Sequence, residues 1–167
     1  MRLVAITLLT LLATACNSEG GNQTTADNTC SAKVAWSGGD HGSSEMRPGG
    51  DCIGCHKSRG EGPNYVVAGT IYGDIADHDN CEGKSAITVQ ITGADGKVTS
   101  VTSNAAGNFS LSNSKGSVKF PYTVQLLYNG KKYGAMATKV SDGSCNTCHT
   151  ATGETEGPAG RIIAFEE

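Results

Sequence analysis

Ala86-Ile87-Thr88-Val89-Gln90-Ile91-Thr92 repeats with a period of two, apolar branched residues on one side and small or polar ones on the other. A strand with one buried face has this pattern. Strand-like runs recur outward from it at Val66 to Tyr72, Lys97 to Thr102, Asn108 to Ser112, Tyr122 to Tyr128 and Lys132 to Val140, and last at Arg161 to Phe165. Turn signals divide them: Asp95-Gly96, Ala106-Gly107-Asn108 and Asn129-Gly130. Seven short strands at this spacing predict an all-β fold, a seven-stranded Greek-key sandwich over residues 65–140 with its last strand near the C-terminus. The 23 glycines and the 5% aromatic content fit turn-rich β-structure better than a helical bundle.

Within this region Val67-Ala68-Gly69-Thr70-Ile71, Ile87-Thr88-Val89-Gln90-Ile91, Gly107-Asn108-Phe109-Ser110-Leu111 and Tyr122-Thr123-Val124 stand in order. The set resembles the carboxypeptidase regulatory-like, or transthyretin-like, β-sandwich. That resemblance implies an Ig-like sandwich used as a binding or spacer module and implies no catalysis.

The chemistry lies in the flanks. Cys52-Ile53-Gly54-Cys55-His56 and Cys145-Asn146-Thr147-Cys148-His149 are two copies of Cys-x-x-Cys-His. This is the sequence mark of covalent c-type haem: two thiols add to the haem vinyl groups, and the adjacent histidine ligates the iron. Zinc ligation and a thioredoxin-like dithiol use the same residue types. The repeated His and an export signal favour two haems, with His56 and His149 as proximal ligands. The chain holds four histidines, which leaves His41 and His78 as candidate distal ligands. His41 falls in the glycine-rich approach to Cys52. His78 falls in a loop expected at the far end of the sandwich from Cys55. Three readings of it stay open: the first strand breaks near Gly69 or Gly73, so the loop folds back; His78 reaches a neighbouring molecule's haem; or it is structural. The second is similar to cytochrome filaments in which the next subunit supplies the distal His. Met46 and Met136 are fallback axial ligands, Met136 being better suited to core packing. Asp74, Asp77, Asp79 and Asn80 form a polar loop without EF-hand spacing.

Each haem motif precedes a Gly-Pro pair, Gly62-Pro63 or Gly157-Pro158, and then a strand. Alternating strand directions would make the first and seventh strands parallel and start them at one end, with both haems there.

The N-terminal residues read as an export signal: Arg2, an apolar run from Leu3 to Leu12, and Ala13-Thr14-Ala15. Leu12-Ala13-Thr14-Ala15-Cys16 resembles the bacterial lipobox. The resemblance implies a signal peptide over residues 1–15 and lipid on Cys16, anchoring the chain to a membrane on the outer-membrane, periplasmic or cell-surface side. Residues 16–29 are a polar tether, residues 30–64 an irregular segment around the first haem motif, and residues 141–167 the second haem loop and final strand. Cys30 and Cys81 remain, and a disulfide between them is the simplest account. It would close a loop of roughly 50 residues, worth about 4 kcal/mol in the chain-entropy treatment.

A formal charge of −3 disfavours nucleic acid as a partner. Lys57, Arg59, Lys84, Lys131, Lys132 and Arg161 read as solvated surface, able to pair with haem propionates. No Ser/His/Asp arrangement or phosphate loop is present. The sequence therefore points to a dihaem c-type cytochrome lipoprotein that is an electron carrier rather than an enzyme. Its partners would be redox proteins or extracellular acceptors, with a homo-oligomer or filament open. In its haem-plus-lipoprotein pattern it resembles the multihaem cytochromes of bacteria that respire external acceptors. Two alternatives stand beside this reading: a haem enzyme or gas sensor with one open iron, and an interaction module with accessory haems.

Overall fold

Strand alternation survives folding where one face meets water and disappears where both faces are covered. The computed structural model describes residues 43–73, 83–150 and 160–165. Its elements run α1 (Cys52–Arg59), β1 (Tyr65–Tyr72), β2 (Thr88–Thr92), β3 (Val98–Thr102), β4 (Asn108–Ser112), β5 (Thr123–Tyr128), β6 (Lys131–Ala135), α2 (Cys145–Cys148) and β7 (Ile162–Ile163). The strands form two sheets, ordered β4-β1-β7 and β3-β2-β5-β6. All neighbours are antiparallel except β1 and β7, which are parallel. The described fold is thus all-β with seven strands, as expected.

The core lies between the sheets. Val67 and Ile71 of β1 and Phe109 of β4 meet Val89 and Ile91 of β2 and Leu126 of β5, with Ile87, Tyr122 and Ala164 closing the cluster. In β2 the odd positions Val89 and Ile91 are fully buried and the intervening residues half-exposed, matching the alternation in its sequence. In β1 every residue from Val67 to Tyr72 is buried. Its inner face belongs to the core, and α1 and α2 both pack against this strand.

Some element ends differ from expectation for local reasons. β2 starts at Thr88 because Ala86 takes a left-handed φ of 62°. The run expected from Lys132 to Val140 is divided: β6 stops at Ala135, and pairing resumes as a bridge between Tyr122 and Val140. The segment before residue 64 is not wholly irregular. Asp51 caps α1 by accepting from the Gly54 amide at 2.9 Å, and Gly60, left-handed at φ 64°, ends it. The second motif likewise holds a single helical turn, α2.

The strand directions agree with the sequence reading but their starts do not. β1 and β7 are parallel, yet Ile162 pairs with Ile71 near the end of β1. β7 therefore begins beside the far half of β1 and not beside Tyr65. A different device brings the motifs together.

Candidate functional site

That device is the edge of β1 and the residues flanking the two motifs. Ser144 forms a bridge to Ala68, and the Ala68 amide donates to the Gly143 carbonyl at 2.9 Å, so the chain entering α2 lies along β1. Gly69 makes the approach feasible. A Cβ there would sit 2.7 Å from Cys145 Cβ and 2.8 Å from Phe109 Cζ, below any normal contact. Gly69 therefore does not break the strand, which ends instead at Tyr72, just before Gly73, the other break point that one reading of His78 named. Gly69 is where the second motif rests on the sheet.

The motifs are also bonded to each other. Asp51, the cap of α1, accepts from the hydroxyl of Ser144, the cap residue of α2. Asn146, between the two cysteines of the second motif, donates to the Gly50 carbonyl at 2.8 Å. Behind this junction is a buried polar hub. Thr70 Oγ1 donates to Asn108 Oδ1 at 2.8 Å and accepts from Gly49 N at 2.8 Å and Asn146 Nδ2 at 3.2 Å. Asn108 Nδ2 in turn donates to the Met46 carbonyl at 2.8 Å. Buried polar groups are costly unless partnered, so a satisfied hub fixes one arrangement of the segments it joins.

The two histidines carry matching bonds. His56 Nδ1 lies 3.2 Å from the Pro63 carbonyl, and His149 Nδ1 lies 2.9 Å from the Gly160 carbonyl. A carbonyl oxygen only accepts, so each Nδ1 carries a proton, which in a neutral ring leaves the Nε2 lone pair for a metal, the tautomer that a metal-ligating imidazole needs. At the first motif this geometry depends on Gly62. Its φ is 68°, and a Cβ would fall 2.7 Å from His56 Nδ1 and Cε1. The Tyr65 ring lies 4.9 Å from the His56 ring. Burial, which favours the neutral ring, pulls the His149 pKa below its ordinary value, and the bond to Gly160 partly opposes that shift.

Two cavities flank His56. Cys52, Tyr65, Asn108 and Phe109 help line one; Cys55, Arg47, Arg59 and Glu61 help line the other. The cysteines of the first motif thus open onto adjoining spaces that share His56, and the second space has guanidinium groups suited to carboxylates. The residues present fit a haem held on Cys52 and Cys55. Cys52, Cys55 and Cys145 carry free thiols. Burial is the main cause that pushes the Cys52 thiol up to about 11 and the Cys145 thiol up to about 12. Asp51 adds to the first shift, while hydrogen bonding with Tyr122 opposes the second. Cys148 is joined in a disulfide, so a thioether at this residue requires that bond to be reduced first.

Other residues singled out from the sequence take up different places in the fold. Lys84 lies over the Tyr128 and Phe165 rings, Lys131 over Tyr133 and Arg161 over Tyr72. Met136 donates its amide to Val124 of β5, in the sheet opposite β1. Cys16, Cys30, His41, Cys81 and the 74–82 loop with His78, Asp74, Asp77, Asp79 and Asn80 lie outside the described residues, as does Gly157-Pro158. That loop's ends are placed: Tyr72 pairs with both Gly83 and Ile163, so its anchors adjoin the strand that follows His149. Among the described residues no three His, Cys, Asp or Glu side chains converge to hold a metal ion, and no helix is long and apolar enough to cross a membrane. The residues that sequence reasoning missed are Asp51, Ser144 and Asn146. A capping Asp before the first cysteine and a Ser before the second were the legible signals. No family model matches the chain, and neither a curated protein nor a solved structure matches it.

Proposed function

We propose that this chain is a dihaem c-type cytochrome that carries electrons at the bacterial cell envelope as a lipid-anchored protein. In this reading residues 1–15 direct export and Cys16 carries the lipid. The sandwich is a Greek-key, transthyretin-like spacer that holds both haems. The observation that carries the proposal is the matched pair of histidine bonds: both His residues of the two Cys-x-x-Cys-His motifs hold Nδ1 against a backbone carbonyl and leave Nε2 for a metal.

Haem held by Cys52 and Cys55 on His56, and by Cys145 and Cys148 on His149, would supply one-electron exchange between Fe(III) and Fe(II). The chain's own residues supply the rest. Pro63 and Gly160 orient the proximal rings. The Asp51–Ser144 and Asn146–Gly50 bonds fix the spacing of the two motifs. Arg47 and Arg59 border the first site, where propionates would find charge partners. The buried hub beneath the motifs ties the segments that carry them to one another.

The test is the intact mass and reduced optical spectrum of the chain produced in a host that attaches c-type haem. Two covalent haems are expected, one each in Cys52→Ala/Cys55→Ala and Cys145→Ala/Cys148→Ala, with a low-spin c-type spectrum. A chain that leaves the same host without haem would overturn the proposal. Rapid stoichiometric CO binding to one reduced haem would favour the open-iron enzyme or sensor instead.

A further inference from the structure

The two cavities beside His56 have different linings with only two residues in common, and those two are His56 and Met46. Cys52 opens into one cavity and Cys55 into the other. A planar group tethered to both sulfurs would border both spaces, and both shared residues line them. One is the proximal histidine. The other carries a thioether, a soft neutral donor suited to haem iron.

The Met46 backbone is bonded through both its carbonyl and its amide. Its carbonyl accepts from buried Asn108 at 2.8 Å, and its amide donates to Ser43 at 3.1 Å. Three residues on, Gly49 donates to Thr70 Oγ1 at 2.8 Å. The same hub that positions α2 through Asn146 thus fixes the segment carrying Met46. Nothing comparable places the other internal methionine: Met136 is bonded to Val124 in the opposite sheet and lines neither cavity.

We propose that Met46 is the distal ligand of the first haem, so that this haem is His/Met coordinated and differs from the second. The inference rests on the dihaem reading above and goes beyond it. A thioether in place of a second imidazole raises the reduction potential, so the first haem is the higher-potential member of the pair and holds the electron at equilibrium. His41 then has no ligand role at this iron.

Near-infrared magnetic circular dichroism of the oxidised, haem-loaded protein reads the ligand sets directly. The wild type should show one His/Met and one bis-nitrogen or non-methionine haem. Met46→Leu, close in volume, should abolish the His/Met band while intact mass still reports two haems. Met46→His should replace it with a bis-His band and shift one midpoint potential downward, leaving the other in place. His41→Ala should retain the His/Met band. A wild type with two haems and no His/Met band, or a Met46→Leu protein that keeps the band, would overturn this assignment while leaving the dihaem reading intact. Absence of covalent haem would instead remove the dihaem reading, and this assignment with it.

Discussion

The two Cys-x-x-Cys-His motifs share five-residue chemistry but are built into the protein differently. The first sits in an eight-residue helix packed at the start of β1, its residues half-buried from Cys52 to His56 and exposed from Lys57 to Arg59. The second is a single turn laid along the middle of β1, with Asn146 and Cys148 buried and Cys145 packed against the sandwich core. One motif is attached to the fold and the other is part of it. The same local sequence thus serves two structural roles, and the surrounding residues set the difference: Asp51 and Gly60 make an independent helix of the first, while Gly69 and Ser144 draw the second into the sheet. Changes near the second motif should therefore disturb the whole domain, and changes near the first should stay local.

The largest effect is expected at their shared support. Gly69→Val adds a side chain where Cβ alone would already collide with Cys145 and Phe109. Overpacking of this kind costs about 3 kcal/mol. Chemical denaturation should show it, together with impaired haem attachment at the second motif and attachment at the first retained. Loss of both haems in equal measure would erase the distinction between the motifs.

Alkaline stability of haem-free protein should come next. Both thiols have folded pKa values above the ordinary 9.0, Cys145 at about 12 and Cys52 at about 11. Each contribution is fully present below pH 9.0 and is lost as pH rises toward the folded value, because the unfolded chain releases its protons first. Denaturant midpoints measured from about pH 8 to about pH 11 should fall, and Cys145→Ser should flatten the slope more than Cys52→Ser. In haem-loaded protein, where thioethers do not ionise, this component should vanish.

Caps give a smaller contrast. Asp51→Ala removes both the α1 cap and the link to Ser144, costing about 1–2 kcal/mol. Ser144→Ala removes the link alone, and should cost about 0.5–1 kcal/mol. Equal losses would mean that the Asp51–Ser144 bond, not helix capping, dominates. The least change is expected from acid. His149 is held neutral by burial, so haem-free protein keeps this contribution above pH 6.5 and loses it as pH falls below, where the unfolded chain binds the proton first. His149→Gln should reduce the decline in stability between about pH 7 and about pH 5.

How much of the molecule is legible in its sequence follows from the range of each interaction. The alternation of Ile87, Val89 and Ile91 is a local pattern and yields β2 directly. The cysteine-histidine motifs are likewise contiguous, so their residues are identifiable without any fold. The buried length of β1 is not, because covering its second face takes α1 and α2 from opposite ends of the chain. The junction of Asp51 with Ser144 spans 93 residues of sequence, and no local signal announces that the two cap residues will bond to each other. Pro48-Gly49-Gly50 reads as a helix stop, yet α1 begins at Cys52, since a breaker upstream of a capping Asp delimits the start of a helix and does not prevent it. Met46 has only its residue type to recommend it until the fold places it in the linings that His56 also borders.

The proposed function requires that the two motifs form one site with two haems at fixed, short separation. Low-temperature electron paramagnetic resonance of the oxidised, haem-loaded protein tests it most directly. Two ferric signals altered by magnetic interaction are predicted, collapsing to one unperturbed signal when either motif's cysteines are replaced by alanine. Two signals that superimpose on the sum of the single-haem variants, or no haem signal at all, would contradict it.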